Sequence, residues 1–176
     1  MSSLLPNREQ AIELLHKNHC PPQVINHCVA VADLASETAK ILFAKGLKVN
    51  LELVEAGALL HDLGRSKNHT VDHGLVGAQM AKSIGLPESV INIIKRHVGG
   101  GITAEEAKRF GWPKDGYSPQ TLEEKIVSYA DKLIDHSKRV PIELEIKRLQ
   151  KENKIDAAER VRKLNEEITS LLGNKP

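Results

Sequence analysis

The run "PPQVINHCVAVADLASETAKILFAKG", residues 21–46, does most to limit how this chain can fold. Its apolar positions Val24, Cys28, Val31, Leu34, Ala35, Ala39 and Leu42 recur at helical spacing and make one stripe along a long helix. Pro22 fits a first helical turn, where its missing N–H is no loss, and Gly46 supplies a stop. A helix with one apolar stripe must bury that stripe against partners, and the rest of the chain offers only more helices. Nothing alternates with period two for long enough to argue a sheet. The expected fold is an all-α bundle with a core of Leu, Ile, Val and Ala, since aromatic residues are only 3%.

Ile12, Leu14 and Leu15 predict a short first helix. "NLELVEAGALLHDLG" predicts another, with Asn50 as N-cap and Gly64 as the stop. Residues 72–84 and 87–98 read as two helices separated by Gly85-Leu86-Pro87. Thr103 with Glu106, and Thr121 with Glu124, have capping-box spacing and predict helices over "AEEAKRF" and "LEEKIVSYADKLIDHSKRV". "GWPKDGYSP" between them reads as a loop.

Residues 141–152 and 157–172 are both amphipathic, with a break expected near Asn153 and a third capping box at Asp156 and Glu159. The chain thus divides into a domain over residues 1–140 and a C-terminal helical extension over 141–176. Val161, Leu164, Ile168 and Leu171 give the extension an apolar stripe that either covers the same core or forms a homodimer contact; the first is favoured.

The 176 residues suit one ordinary domain. With 25 basic and 23 acidic side chains the net charge is +2, which does not favour nucleic acid as a partner but leaves room for a local basic pocket. Cys20 and Cys28 make no disulfide framework, the N-terminus has no signal-peptide pattern, and no apolar run is long enough to span a membrane. A cytoplasmic protein is expected.

Against this plain background, "AGALLHDLGR", residues 56–65, places an imidazole and a carboxylate side by side at the end of a core-like helix. Neighbouring helical residues point about 100° apart. His61 and Asp62 can therefore converge on one site only where the helix ends or where helices meet. His27, His73, His97 and Asp131 are further ligand-type residues near apolar helix faces. Burying them without partners would cost several kcal/mol for a charged carboxylate, on the order of the penalty for an unpaired buried charge, and a bound divalent metal would offset it for all of them. Taken singly, each has an ordinary reading too: a hydrogen-bonded core histidine, or for Asp131 a pairing with Lys125 or Lys132. His16, His19, His69 and His136 are read as surface residues, and Cys28 as core.

The pattern His27, His61-Asp62, Asp131 resembles the HD-domain superfamily of metal-dependent phosphohydrolases over roughly residues 20–139. Leu63 and Arg65 stand where that family commonly has Ile and Lys. His73 in "HGLVGA" and His97 in "RHVGGG" match the binuclear branch. The chain also looks like small prokaryotic, largely archaeal, HD proteins that share "TAEEA" and "TLEEKIV.YAD".

The resemblance implies an HD-domain helical bundle holding one or two divalent metals per chain (Mn, Fe, Co, Ni, Zn or Mg). His27, His61 and Asp131 would serve one ion and His73 and His97 the other, with Asp62 bridging. It implies hydrolysis of a phosphate ester or anhydride by a metal-held hydroxide, with a nucleotide as the expected small substrate. Arg65 is the first candidate for gripping phosphate, with Lys95, Arg96 and Lys132 behind it. Asp72 is a candidate to orient a ligand or donate a proton, and Trp112 and Tyr117 to cover the cleft and stack on a base. The competing readings are a di-iron oxygenase of the same superfamily and a non-catalytic nucleotide sensor. In a mononuclear site, His73 and His97 would contact substrate instead.

Overall fold

A computed structural model of the chain describes residues 4–173; Met1–Ser3 and Asn174–Pro176, the outer ends of the N-terminal stretch and of the extension, lie outside the described residues. Among the described residues the chain forms α1 (Arg8–Lys17), α2 (Pro22–Ala44), α3 (Leu51–Leu60), α4 (His73–Ser83), α5 (Glu88–Arg96), α6 (Ala104–Arg109), α7 (Leu122–Lys132), α8 (Ile142–Lys151) and α9 (Ile155–Leu172). A two-residue ribbon, β1 (Ile134–Asp135) antiparallel to β2 (Lys138–Arg139), is inserted after α7. The fold is all-α, as expected.

Helix α2 carries the stripe read from the sequence: all seven of its apolar positions are buried. It packs on α3, α7 and α9. One continuous core runs from Ala11 and Leu15 through Cys28, Leu60, Ile94 and Ile126 to Val161 and Ile168. Helix starts follow their caps. Asn50 accepts from the Leu53 N–H, and Thr103 and Thr121 form full capping boxes with Glu106 and Glu124. A further capping box, Asn7 with Gln10, opens α1.

Three expectations fail locally. Helix α3 ends at Leu60, before the His61-Asp62 doublet, and Gly64 lies in a short 3-10 turn, Leu63–Ser66, rather than ending the helix. A β-carbon on Gly64 would sit 2.0 Å from the His73 carbonyl oxygen and 2.6 Å from the Gly77 nitrogen. Gly64 is there so that this turn and α4 can touch backbone to backbone. Helix α7 stops at Lys132 rather than continuing to Val140, because Val140 N–H bonds the Leu133 carbonyl and folds residues 133–140 into the ribbon, with His136 in a left-handed turn (φ 55°). The break near Asn153 is present, at φ 58°, but α9 starts at Ile155 behind Lys154, so Asp156 is already helical and does not cap it.

In α9, Val161, Leu164 and Ile168 are buried in the common core, and Leu171 packs against it partly buried. Arg160 of α9 forms an ion pair with Glu106 of α6 at 3.0 Å. No described helix is long and apolar enough to cross a membrane.

Candidate metal centre

Helix ends build the site. His61 and Asp62 leave α3 at its last turn; His73 opens α4; His97 follows α5; Asp131 is in the last turn of α7; His27 projects from early in α2. The six side chains that the sequence singled out converge between these ends. His61, Asp62, His73 and His97 are buried, and His27 and Asp131 keep 16% and 13% of their side chains exposed toward the cleft.

All four imidazoles are held in the same way. Each Nδ1 donates to a backbone carbonyl at 2.7 Å: His27 to His136, His61 to Ala58, His73 to Thr70 and His97 to Ile94. In the last three the acceptor is three residues earlier, which is the natural reach at a helix end. This places one proton of each ring on Nδ1 and turns Nε2, the remaining ligand atom, to the centre.

The carboxylates sit among those nitrogens. Asp62 divides its two oxygens: Oδ2 lies 3.9 Å from His27 Nε2 and 3.6 Å from His61 Nε2, while Oδ1 lies 3.2 Å from His73 Nε2 and 3.4 Å from His97 Nε2. Asp131 Oδ1 lies 3.0 Å from His27 Nε2 and 3.4 Å from His61 Nε2. His27, His61 and Asp131 form one group that can hold a metal ion, and His61, Asp62 and His97 another.

Within the protein alone this arrangement is unsatisfied. Among the described residues, His61 Nε2 is fully buried without a hydrogen-bond partner of good geometry. Burial works to lower the His61 pKa, yet the charge of Asp62, helped by Asp131, holds it well above the ordinary imidazole value. Burial works to raise the Asp62 and Asp131 carboxyls, but His61 and, for Asp131, Lys132 hold both well below the carboxylate range. Burial pushes His97 down to about 4 despite the neighbouring Asp62 carboxylate. A buried cluster of imidazole nitrogens around two carboxylates, with the His61 Nε2 left unpartnered, is what a divalent cation relieves, so the residues present fit such a metal.

The basic candidates separate. Arg65 donates from Nε to Asp62 Oδ1 at 3.2 Å and from Nη1 to the His69 carbonyl at 3.1 Å, and it still lines the cleft. Lys132 pairs with the outer oxygen of Asp131 and also lines the cleft. Lys95 and Arg96 do not line it. Lys95 pairs with Asp115 at 2.6 Å and Arg96 with buried Glu124 at 2.9 Å, tying α5 to the 110–119 loop and to α7.

Asp72 accepts from the Trp112 indole at 2.6 Å, and Tyr117 donates to the Pro113 carbonyl, so both aromatics are packing. The exposed aromatic on the cleft is Phe110, which the sequence reading passed over. The carbonyl of His136, a residue given no role from sequence, orients His27; a backbone atom leaves no residue-type signal.

The HD domain family matches residues 24–135. An uncharacterized protein of Methanocaldococcus jannaschii is 45% identical over 93% of this chain and 98% of its own length. A tRNA (cytidine(56)-2'-O)-methyltransferase of Thermoplasma volcanium is 36% identical over 97% of this chain, which spans only 49% of that protein. Among solved structures, the HD domain of the phosphodiesterase PgpH of L. monocytogenes, in complex with cyclic-di-AMP, shares the fold with a TM-score of 0.57 at 20% identity, covering 93% of this chain and 95% of that one.

Proposed function

The chain belongs to the HD domain family, and from that membership and its His–Asp centre we propose that it is a metal-dependent phosphohydrolase acting on a phosphate ester or anhydride of a nucleotide. One observation carries the reading: four imidazoles, each locked by a carbonyl at 2.7 Å, aim Nε2 at two carboxylates, and Asp62 turns one oxygen to each histidine pair.

We assign His27, His61 and Asp131 to one ion, His73 and His97 to a second, and Asp62 to both. The nitrogen and oxygen donors, without thiolate, suit Mn, Fe, Co, Ni, Zn or Mg. A bound pair of divalent ions supplies an activated water and positive charge against the phosphoryl oxygens. The chain's own residues do the rest. The Nδ1 bonds aim each Nε2 at the centre, Arg65 steadies Asp62 while offering its remaining donors to a substrate phosphate, and Lys132 holds Asp131 at the cleft edge.

The cleft over His73 and His97, about 690 Å³, is of the size that holds small ligands, and its Val71, Ile102 and Phe110 offer a wall for a nucleoside base. The cyclic-di-AMP of the PgpH domain supports a nucleotide as the class. The methyltransferase name belongs to proteins about twice as long, and no methyl transfer is proposed for this chain. Buried, unpaired Cys20 and Cys28 fit a reducing compartment, and the proposed location is the cytoplasm.

The test is phosphate release from a panel of nucleotides and phosphate esters. The protein is stripped of metal and reloaded separately with each of the six ions, with Asp62→Ala as control. Metal-dependent release that is lost in the variant supports the reading. Silence across the panel with two metals bound overturns it and directs attention to oxygen uptake by the iron form. Silence with no metal retained overturns it in favour of a sensor.

A further inference from the structure

Two cavities open onto the His–Asp cluster, and the extension beyond the family-matched segment walls both. The larger reaches His73 and His97 and is closed by α8, the 152–154 turn and the start of α9. The second, about 540 Å³, reaches His27 and Asp62 and is closed by α8. Arg65, Asp131, Lys132, Glu145 and Arg148 belong to both, so they mark the junction of the two cavities above the carboxylates.

Three of those five are cations, and two are already committed: Arg65 to Asp62 and Lys132 to Asp131. Arg148 is different. Among the described residues its ion pair is with Glu145, one turn back on its own helix, at 2.9 Å, and its side chain is 64% exposed. With Glu145 only 15% exposed and Arg148 open to solvent, the pair stands at the mouth of both cavities, where an anion can compete for the guanidinium. The hydrogen bond that Arg148 donates to Glu145 raises the Arg148 pKa against the effect of burial, so the guanidinium stays charged, and it lines both cavities together with Asp131.

We propose that α8 is part of the substrate site and that Arg148 binds the substrate's phosphoryl group, leaving Glu145 to fork onto oxygens that face away from the metal ligands. The proposal rests on the phosphohydrolase reading for its substrate. Glu145 is then a built-in competitor: it parks the guanidinium when phosphate is absent and opposes phosphate by its charge. A guanidinium suits this role better than an ammonium, because two parallel N–H donors match two phosphoryl oxygens. Through Arg148, the extension adds a third cation to the junction beside Arg65 and Lys132.

The experiment is a calorimetric titration of the full chain with inorganic phosphate, in metal-stripped and Mn-loaded forms. It compares wild type, Arg148→Ala, Arg148→Lys, Glu145→Gln, the double variant Arg148→Ala/Glu145→Gln, and Arg162→Ala. Arg162 pairs with Glu159 on α9 and lines neither cavity. Circular dichroism and metal content check that each variant is folded.

Arg148→Ala is expected to weaken phosphate by about tenfold or more, Arg148→Lys to recover part of the loss, and Arg162→Ala to match wild type. Glu145→Gln is expected to tighten phosphate, and that gain is expected to vanish in the double variant. A merely structural pair would move both single variants the same way. Arg148→Ala within about twofold of wild type, a Glu145→Gln gain that survives without Arg148, or no phosphate binding by either form of the wild type each overturns the proposal. Metal uptake is measured separately. Its failure would sink the phosphohydrolase reading while the phosphate comparison still decides the role of Arg148.

Discussion

The Nε2 atoms of His73 and His97 face each other at 3.1 Å, while the Nδ1 of each ring is tied to a backbone carbonyl at 2.7 Å. In the neutral rings, with both protons on Nδ1, neither Nε2 has a hydrogen to give, so two lone pairs confront one another beside Asp62 Oδ1. A cation between them removes the repulsion. His73→Ala or His97→Ala is therefore expected to lower the bound metal from two ions per chain to one. Activity is expected to fall by more than about a hundredfold, since loss of even an outer-shell partner typically costs ten- to a hundredfold. Elemental analysis of the reloaded variants beside phosphate-release rates checks this.

Gly64→Ala tests how the fold delivers His73. The added methyl meets the His73 carbonyl at 2.0 Å and the Gly77 nitrogen at 2.6 Å, and both are backbone atoms that cannot rotate aside. The expected cost is about 1–3 kcal/mol of stability or more, together with weakened uptake of the ion held by His73 and His97. Denaturant unfolding and metal titration on the same variant read the two effects.

Arg96 was a candidate substrate ligand by sequence, but the structure turns it onto Glu124, which is 4% exposed. Arg96→Met leaves that carboxylate buried without its partner, and breaking a buried pair in this way costs about 3–5 kcal/mol. The variant is expected to melt well below wild type yet keep its KM for phosphate substrates at permissive temperature. A raised KM in folded protein would return Arg96 to the substrate site.

The metal-stripped protein is expected to be most stable near the ordinary histidine value of about pH 6.5. His61, raised by Asp62, contributes stability that is full below that value and is lost as pH rises through its folded pKa. His97, pushed down by burial to about 4, contributes stability present above the ordinary value and lost as pH falls toward 4. Asp62 and Asp131, both depressed, add losses in stronger acid. Metal loading is expected to abolish the alkaline decline, because the ion replaces the proton on His61. Thermal melts across about pH 4 to 9, with and without Mn, follow both limbs.

Much of the fold could be read from sequence because it rests on local signals. The α2 stripe, the Asn50, Thr103 and Thr121 caps and the Gly85-Leu86-Pro87 break all act within a few residues. The ribbon after α7 escaped because the choice between helix and hairpin over Leu133–Val140 is made by a backbone bond that residue types do not reveal. Asp156 misled for a related reason: capping-box spacing was present, but the chain leaves its left-handed turn at Asn153 and begins α9 before it.

At the site, residue type exposed the six metal-ligand candidates, since polar ligands on apolar helix faces are costly to bury. Direction was not legible. Lys95, Arg96, Lys132 and Arg65 look alike in sequence, and only packing decides that the first two face Asp115 and Glu124 while the last two face the cleft. Arg148 was missed because its helix is remote in sequence from every ligand and reaches the cleft only through the tertiary fold.

The most direct measurement is metal stoichiometry: the stripped 176-residue chain titrated with Mn at neutral pH, by calorimetry with elemental analysis of the product. Two ions per chain are expected, falling to one in His73→Ala and with neither bound tightly in Asp62→Ala. A single ion per chain in the wild type, unchanged by His73→Ala, would contradict the binuclear centre.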